Sequence, residues 1–169
     1  MTVRVEEAAF EIGHELSRLK AAAAARGLGE IGAFVTFTGT VRGDDGTSDG
    51  RAPIVAMTLE HYPGMTEAEL ARVEAAACAR WPLSASLVVH RHGRLLPGDD
   101  IVLVITASRH RDAAFDAARF LMDFLKTSAP FWKRIERADG TSEWVEAKAA
   151  DDLALARWTA AGKEDGSPG

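Results

Sequence analysis

The sequence predicts an α+β fold in a single domain, with a mixed or antiparallel sheet and flanking helices. Runs rich in β-branched, aromatic or other apolar residues, typical of strands, occur at 31–41, 54–62, 87–90 and 101–107. The last two runs are joined by a turn signal and are expected to pair as neighbours. Residues 111–127 show clear helical periodicity. Strands and helices do not alternate strictly, as they would in a parallel βαβ sheet.

Length and composition are those of one folded domain. The chain has 169 residues, of which 47% are hydrophobic and 27% charged, so it can bury a core without disulfides or metal. We expect the domain to span residues 1–160 and residues 161–169 to form a disordered tail. The formal net charge of −5 argues against a general nucleic-acid-binding protein.

Cysteine content and hydropathy indicate the compartment. Cys78 is the only cysteine, so neither an internal disulfide nor a cysteine-rich zinc site is expected. The N-terminus lacks the apolar run of a signal peptide, and no stretch approaches the ~20 apolar residues of a membrane helix. These features predict a cytoplasmic protein that contacts no membrane. No cofactor is expected.

The N-terminal region is predicted to be helical over residues 6–26. Its apolar residues fall at roughly helical spacing: Phe10, Ile12, Leu16 and Leu19. Gly27 and Gly29 are expected to end this helix. The segment 31–41 then supplies the first predicted strand.

A second strand and a second helix follow a polar loop at residues 43–50, which is rich in turn-forming residues. The strand is predicted at 54–62 and is interrupted by a Pro-Gly pair. The helix is predicted over residues 66–80, with acidic residues in its first turn and Pro82 stopping it.

The clearest element is the amphipathic helix at 111–127. Its predicted buried stripe consists of Ala114, Phe115, Ala118, Leu121, Met122 and Leu125. Pro130 is expected to end it, because proline disfavours helical geometry in the preceding residue. A short strand at 144–146 and a last helix at 147–158 complete the predicted elements.

Two lysines are candidates for chemistry. Lys126 lies at the edge of the predicted stripe, where partial loss of hydration would favour the uncharged amine. Lys133 should share a strand face with Phe131, opposite Trp132. Taken alone, each position favours a structural alternative: a stem that covers apolar surface for Lys126, and an edge-strand charge for Lys133.

Three consecutive residues, Arg109, His110 and Arg111, lie where a predicted strand ends and a helix begins. Cations there oppose the helix dipole, whereas a bound anion would satisfy both the cations and the free N–H groups. The alternative is a solvated helix start with the charges pointing away. Arg42, at the end of a strand, is a weaker candidate. Local cationic clusters in an acidic protein suggest a small anionic ligand.

The remaining titratable side chains predict neither a metal site nor a reactive thiol. His61, His90 and His92 lie near predicted strand ends, without the spacing and acidic partner of a metal motif. Cys78 falls in an alanine-rich segment and is interpreted as a small buried residue.

Five segments, in order and spacing, resemble motifs of the molybdopterin synthase catalytic (large) subunit family. They are Gly32–Arg42, Leu59–Met65, His90–Asp99, His110–Arg134 and Trp144–Ala147. The likeness covers roughly residues 30–158 and implies an α/β-hammerhead-like fold. The sequence departs from the family where Ile135 replaces a glutamate and Glu136 follows, and the loop at 43–53 is longer than expected.

This resemblance implies a sulfurtransferase of molybdenum cofactor biosynthesis. Two copies would form the central homodimer of a heterotetramer, and each would bind a small ubiquitin-like subunit ending in Gly-Gly. The thiocarboxylate of that tail would deliver sulfur to cyclic pyranopterin monophosphate, and two transfers would form the dithiolene of molybdopterin. The absence of a redox cysteine pair agrees with sulfur that comes from outside the chain.

The resemblance also implies the site residues. The family's catalytic lysines match Lys126 and Lys133, which would act as general acid/base groups or amine nucleophiles. The residues matched to substrate binding are Arg42, His110, Arg111, Lys126, Lys133 and Arg134. Two other functions remain open on the sequence: a phosphate-ester hydrolase that uses the cationic cluster, and a non-catalytic subunit that only holds a partner.

Overall fold

Eight strands and three helices make up the described part of the chain, which in this computed structural model covers residues 2–27, 30–44, 50–127, 129–145 and 158. In chain order they are β1 (Thr2–Glu6), α1 (Ile12–Ala25), β2 (Ala33–Thr40), β3 (Ile54–His61), α2 (Met65–Arg80), β4 (Leu83–Arg91), β5 (Gly93–Leu95), β6 (Asp100–Ser108), α3 (Arg111–Thr127), β7 (Phe131–Arg137) and β8 (Ser142–Val145).

The strands form two four-stranded sheets. The first has the order β1-β4-β6-β2, with β1 parallel to β4 and the other pairs antiparallel. The second, β5-β3-β7-β8, is antiparallel throughout. The predicted α+β class is confirmed, with the strands divided between two sheets. The division occurs at Gly93, whose φ of 83° lets the chain leave β4 and enter the second sheet.

The core lies on both faces of the central strands β4 and β6. On one face, Val88 and Val104 pack against helices α2 and α3. On the other face, Leu87 and Ile105 pack against Phe10 and the apolar side of α1. Burial on both faces explains why these strands read as continuous apolar runs, and their predicted pairing is confirmed.

No helix in the described ranges combines the length and the apolar character that a membrane span requires.

The N-terminal prediction was partly wrong. Instead of one helix over 6–26, the chain forms β1, then a loop that buries Phe10, then α1. Strand β1 pairs in parallel with β4 and packs Val3 and Val5 against the core. The local sequence pattern does not predict this pairing. Gly27, with a φ of 72°, follows the helix end as predicted, and Gly29 lies outside the described residues.

Helix α3 has the predicted bounds, but its buried stripe is rotated. Phe115 is 60% exposed, whereas Phe120, which the predicted stripe omitted, is 1% exposed. The buried arc runs from Phe120 through Ala117 and Ala114 to Ala118. Its centre therefore lies on the side of Ala114 that faces away from Phe115. Lys126 is about 20° from Phe115 around the helix and is exposed with it.

Strands β2, β3 and β6 and helix α2 lie within one or two residues of their predicted bounds. Strand β4 begins four residues before the predicted run at 87–90, and the short strand β5 was not predicted. The predicted strand at 144–146 is the end of β8, and its last residue is outside the described ranges. Also outside them are most of the polar loop at 43–50, the predicted helix at 147–158 apart from Trp158, and the predicted tail at 161–169.

Candidate active site

A cleft lies between the two sheets at the C-terminal end of α3 and has a volume of about 440 Å³. Three of the predicted site residues, Arg42, Lys126 and Lys133, line it together. They come from three different elements: the segment after β2, the last turn of α3, and β7. Every charged side chain among the described residues of the cleft wall is a cation.

Each lysine is held in the cleft by its secondary structure. Lys126 occupies the last turn of α3, where a cation interacts favourably with the helix dipole. Lys133 is half-buried on β7, between Leu59 of β3 and Val145 of β8. Trp132 is 51% exposed, while Phe131 and Lys133 are half-buried, as the predicted alternation of faces requires.

Arg42 reaches the cleft because β2 ends in an irregularity. The register between β2 and β6 shifts between Gly39 and Thr40. A Cβ on Gly39 would lie 3.0 Å from a methyl group of Val102, so glycine allows the close approach expected from the sequence. The next residue, Val41, is buried and donates its N–H to Asp99 O at 2.9 Å, which fixes the backbone immediately before Arg42.

The other predicted anion-binding residues lie at the opposite end of α3. His110 and Arg111 are both exposed. Within the described residues, the one ion pair of Arg111 is with the exposed Asp112, at 3.5 Å. Arg109 donates to Glu30 at 2.8 Å. Since 15 residues separate Arg111 from Lys126, their Cα atoms are roughly 22 Å apart along the helix axis. One copy of the chain therefore does not bring these two groups together.

Arg134 also lies away from the cleft. It faces the opposite side of β7 from Lys133, with its guanidinium 5.9 Å from the ring centroid of Trp144 and 3.8 Å from Glu136. Glu136 in turn accepts hydrogen bonds from Arg94 at 3.1 and 3.3 Å. The glutamate that follows Ile135 thus belongs to an ion-pair network on the outer face of the second sheet.

One residue of the cleft wall, His90, was not predicted to take part in the site. It is 8% exposed and its ring stacks on Phe131 with centroids 3.9 Å apart. Burial lowers the pKa of His90 to about 4, so the ring is neutral at physiological pH. In the sequence, the signal for a buried site residue here is that His90 directly follows the apolar run Leu87–Val89.

A second depression, the β2–α3 groove, adjoins the cleft. It has a volume of about 500 Å³ and shares Phe37 and Met122 with the cleft wall. Its walls include the exposed rings of Phe37 and Phe115 and the charged side chains of Asp116 and Arg119. Among the described residues, β2 is an edge strand of its sheet, so one backbone edge of β2 has no strand paired with it.

The histidines and the cysteine do not form a second centre. Within the described ranges, no group of three or more His, Cys, Asp or Glu residues is arranged to hold a metal ion. The rings of His61 and His92 lie 4.5 Å apart without an acidic partner in the same group. Burial raises the pKa of the half-buried Cys78 thiol, which disfavours the reactive thiolate.

Comparison with known proteins supplies the family context. The sequence model described as "MoaE protein" matches residues 9–128. Proteins named molybdopterin synthase catalytic subunit from Mesorhizobium japonicum and Rhizobium meliloti are 48% and 51% identical, covering 93% and 94% of this chain and 92% and 96% of their own lengths. The solved MoaE protein of Burkholderia ambifaria is 46% identical with a TM-score of 0.74, covering 94% of this chain and 97% of that one.

Proposed function

This chain belongs to the MoaE protein family, and on that premise we propose that it is the catalytic subunit of a molybdopterin synthase. In this reaction, sulfur passes from the C-terminal thiocarboxylate of a small ubiquitin-like subunit to cyclic pyranopterin monophosphate. The observation that carries the proposal is the cleft whose charged wall residues are Arg42, Lys126 and Lys133. Both reactants are anions, and three cations from three separate segments on one cleft wall suit anionic ligands.

The two lysines are the proposed catalytic groups. Ammonium groups can stabilise the sulfur anion of the thiocarboxylate and donate a proton to oxygen that leaves the substrate. A lysine that has lost its proton can instead attack the thiocarboxylate carbon of the small subunit as an amine, forming an amide bond as the C–S bond breaks and hydrosulfide leaves for the substrate. Arg42, at the same cleft, is suited to a phosphate or carboxylate oxygen through charge-assisted hydrogen bonds.

His110 and Arg111 can serve the same substrate only if a second copy supplies them. A twofold axis across the middle of α3 would bring the start of one helix near the end of its partner, and would create two equivalent sites. The midpoint between Arg111 and Lys126 falls near residues 118–119, which line the β2–α3 groove. We therefore assign this groove, with the exposed Phe37 and Phe115, to the interface of a homodimer.

The proposal has further parts. The small subunit would insert its Gly-Gly tail into the cleft, giving a heterotetramer around the homodimer, and the assembly would be cytoplasmic. Residues 1–160 would form one domain, with 161–169 as a tail. Arg134 is matched to a substrate-binding residue by the resemblance, but it has at most a minor part in this pocket, because it faces the other side of β7.

Reconstitution tests the proposal directly. The full chain would be incubated with a thiocarboxylated small subunit and the pterin precursor, and dithiolene product would be measured by chromatography after oxidation to a fluorescent derivative. The control is the same small subunit with an ordinary carboxylate, which can bind but has no sulfur to give. Binding of both reactants without any product would contradict the proposal. Release of inorganic phosphate from the precursor would instead favour a hydrolase.

A further inference from the structure

His90 is a buried polar side chain on the wall of the cleft. It belongs to β4, and its ring stacks on Phe131 with an angle of 19° between the planes. Phe131 and Lys133 share one face of β7, so the stacked pair lies next to the lysine along the strand. The proposed catalytic reaction does not use this histidine.

The hydrogen bonding of His90 fixes which ring nitrogen carries the proton. Nδ1 lies 2.9 Å from the backbone oxygen of Arg91, and a carbonyl oxygen can only accept, so Nδ1 is the protonated nitrogen. In the neutral ring, Nε2 then holds a lone pair. Among the described residues, His90 forms no hydrogen bond besides this one, so Nε2 is available to a molecule in the cleft.

This lone pair differs from the other polar groups of the cleft. Arg42, Lys126 and Lys133 offer only donors when charged, and they suit phosphate and thiocarboxylate oxygens. Thr40 contributes a hydroxyl. The precursor also carries a nitrogen heterocycle with N–H donors. Charged arginine and lysine side chains cannot accept hydrogen bonds from these donors. The Thr40 hydroxyl can donate or accept, whereas the neutral imidazole nitrogen at Nε2 can only accept, which suits such a donor.

We propose that His90 is a substrate-binding residue whose Nε2 accepts a hydrogen bond from a ring N–H of the pterin heterocycle, an inference that rests on the proposed function. The cations then hold the anionic groups, while His90 orients the heterocycle and selects for a ring with an N–H at that place. Stacking on Phe131 holds the imidazole plane, so the acceptor is oriented before the substrate arrives.

His90 is not suited to act as a general base. Burial, together with the neighbouring His61 and His92, lowers the pKa of His90 to about 4. Because the buried imidazole is a weak base, transfer of a proton from an ammonium group to His90 would be strongly disfavoured. A neutral acceptor that does not titrate near neutral pH is what a fixed hydrogen bond to N–H needs.

Two substitutions at His90 separate the acceptor from the ring. His90→Phe keeps the stacking on Phe131 but removes the lone pair, while His90→Gln can place an amide oxygen near the position of Nε2. His90→Phe should weaken precursor binding about ten- to thirtyfold, since the substrate N–H loses its partner. His90→Gln should stay within about threefold of wild type. His92→Phe, outside the described cleft wall, is the matched control and should bind normally.

Calorimetric titration of each folded full-chain variant with precursor measures these affinities, and kcat at saturating precursor should fall less than KM rises. Wild-type affinity in His90→Phe would overturn the inference. So would equal losses in His90→Phe and His90→Gln, because the ring and not the acceptor would then matter. If the wild type binds no precursor, the proposed function fails, and this inference fails with it.

Nitrogen NMR of the wild type gives a test that needs no variant to bind. With ¹⁵N-labelled histidine, the His90 signals are identified by their absence from the spectrum of His90→Gln. The free protein should show a protonated Nδ1 and an unprotonated Nε2, and saturating precursor should shift the Nε2 resonance in the direction of a hydrogen-bonded acceptor. An Nε2 resonance that does not move on saturation would overturn the inference even if His90→Phe proved unstable.

Discussion

The two ends of α3 both carry cations, but for different physical reasons. At the C-terminal end, Lys126 is favoured by the helix dipole, so the helix alone could explain it. At the N-terminal end, Arg109, His110 and Arg111 precede or begin the helix, where the dipole disfavours positive charge. The cations at the N-terminal end of α3 are therefore the stronger indication of an anionic ligand, because the helix dipole does not explain them. The separation of roughly 22 Å then shows that one substrate cannot bridge both ends within one copy.

The largest effect is expected at the C-terminal end of α3 and on β7. Lys126→Ala and Lys133→Ala should each lower product formation by about a hundred- to ten-thousandfold, the usual range for a group that moves protons. Lys126→Arg should also fail if the lysine acts as an amine, because arginine stays protonated. Single-turnover product formation measures the loss. Normal turnover by both alanine variants would remove the catalytic assignment.

Fold and surface charge serve as controls for the lysine variants. Lys126 is exposed, so its truncation should leave thermal unfolding almost unchanged. Lys20 on α1 lies 5.2 Å from the ring centroid of Phe34 and does not line the described cleft. Lys20→Ala removes one positive charge elsewhere and should retain activity.

A smaller effect is expected at the N-terminal end of α3. Arg111→Ala should weaken precursor binding about ten- to a hundredfold, because one charge-assisted contact to the phosphate is lost. Arg109→Ala is the matched control, since Arg109 is already paired with Glu30 at 2.8 Å. Titration of each variant with precursor and, separately, with the small subunit measures the two affinities. Unchanged precursor affinity with loss of small-subunit binding would place Arg111 in the protein interface.

Much of the fold could be predicted because its signals are local. The bounds of α3 follow from helical periodicity and a following proline, and β4 and β6 follow from apolar runs that are buried on both faces. Strand β1 could not be predicted, because its five residues are stabilised by pairing with β4, more than eighty positions away. The exposure of Phe115 could not be predicted, because helical periodicity gives the spacing of an apolar stripe but does not say which of its edges packs against the rest of the protein.

The residue types of the site could be predicted more easily than its geometry. Lys126 and Lys133 were identified from sequence, but their convergence depends on how the two sheets and α3 enclose a cleft. His90 was missed as a site residue because its burial and its stacking on Phe131 come from contact between strands distant in the chain. The distance of His110 from the cleft could not be predicted, because one sequence carries no direct signal for how far apart the two ends of α3 lie from a common ligand.

Mixing two impaired variants tests whether the two ends of α3 meet across a dimer, when activity is assayed at a precursor concentration that saturates the wild type but not Arg111→Ala. Arg111→Ala and Lys126→Ala damage opposite ends, so a mixed dimer would hold one doubly damaged site and one intact site. With random exchange of equal amounts, half the dimers are mixed, and about a quarter of all sites should regain activity. Mixing Lys126→Ala with Lys133→Ala is the control: both lysines line one copy's cleft, so no mixed site is intact. Absence of recovery after verified subunit exchange would refute the shared site.

The smallest effect is expected at Arg134, which extends the comparison to the two faces of β7. Lys133 faces the cleft, while its neighbour Arg134 lies on the outer face beside Glu136 and the ring of Trp144. An exposed or half-exposed ion pair contributes little, so Arg134→Ala should change precursor affinity and turnover by less than about threefold. Glu136→Gln removes the same pair from the other partner and should behave alike. A loss at Arg134 as large as that at Arg111, with Glu136→Gln unaffected, would mean that the guanidinium reaches a substrate after all. The outer face of the second sheet would then have to lie near the cleft of another copy.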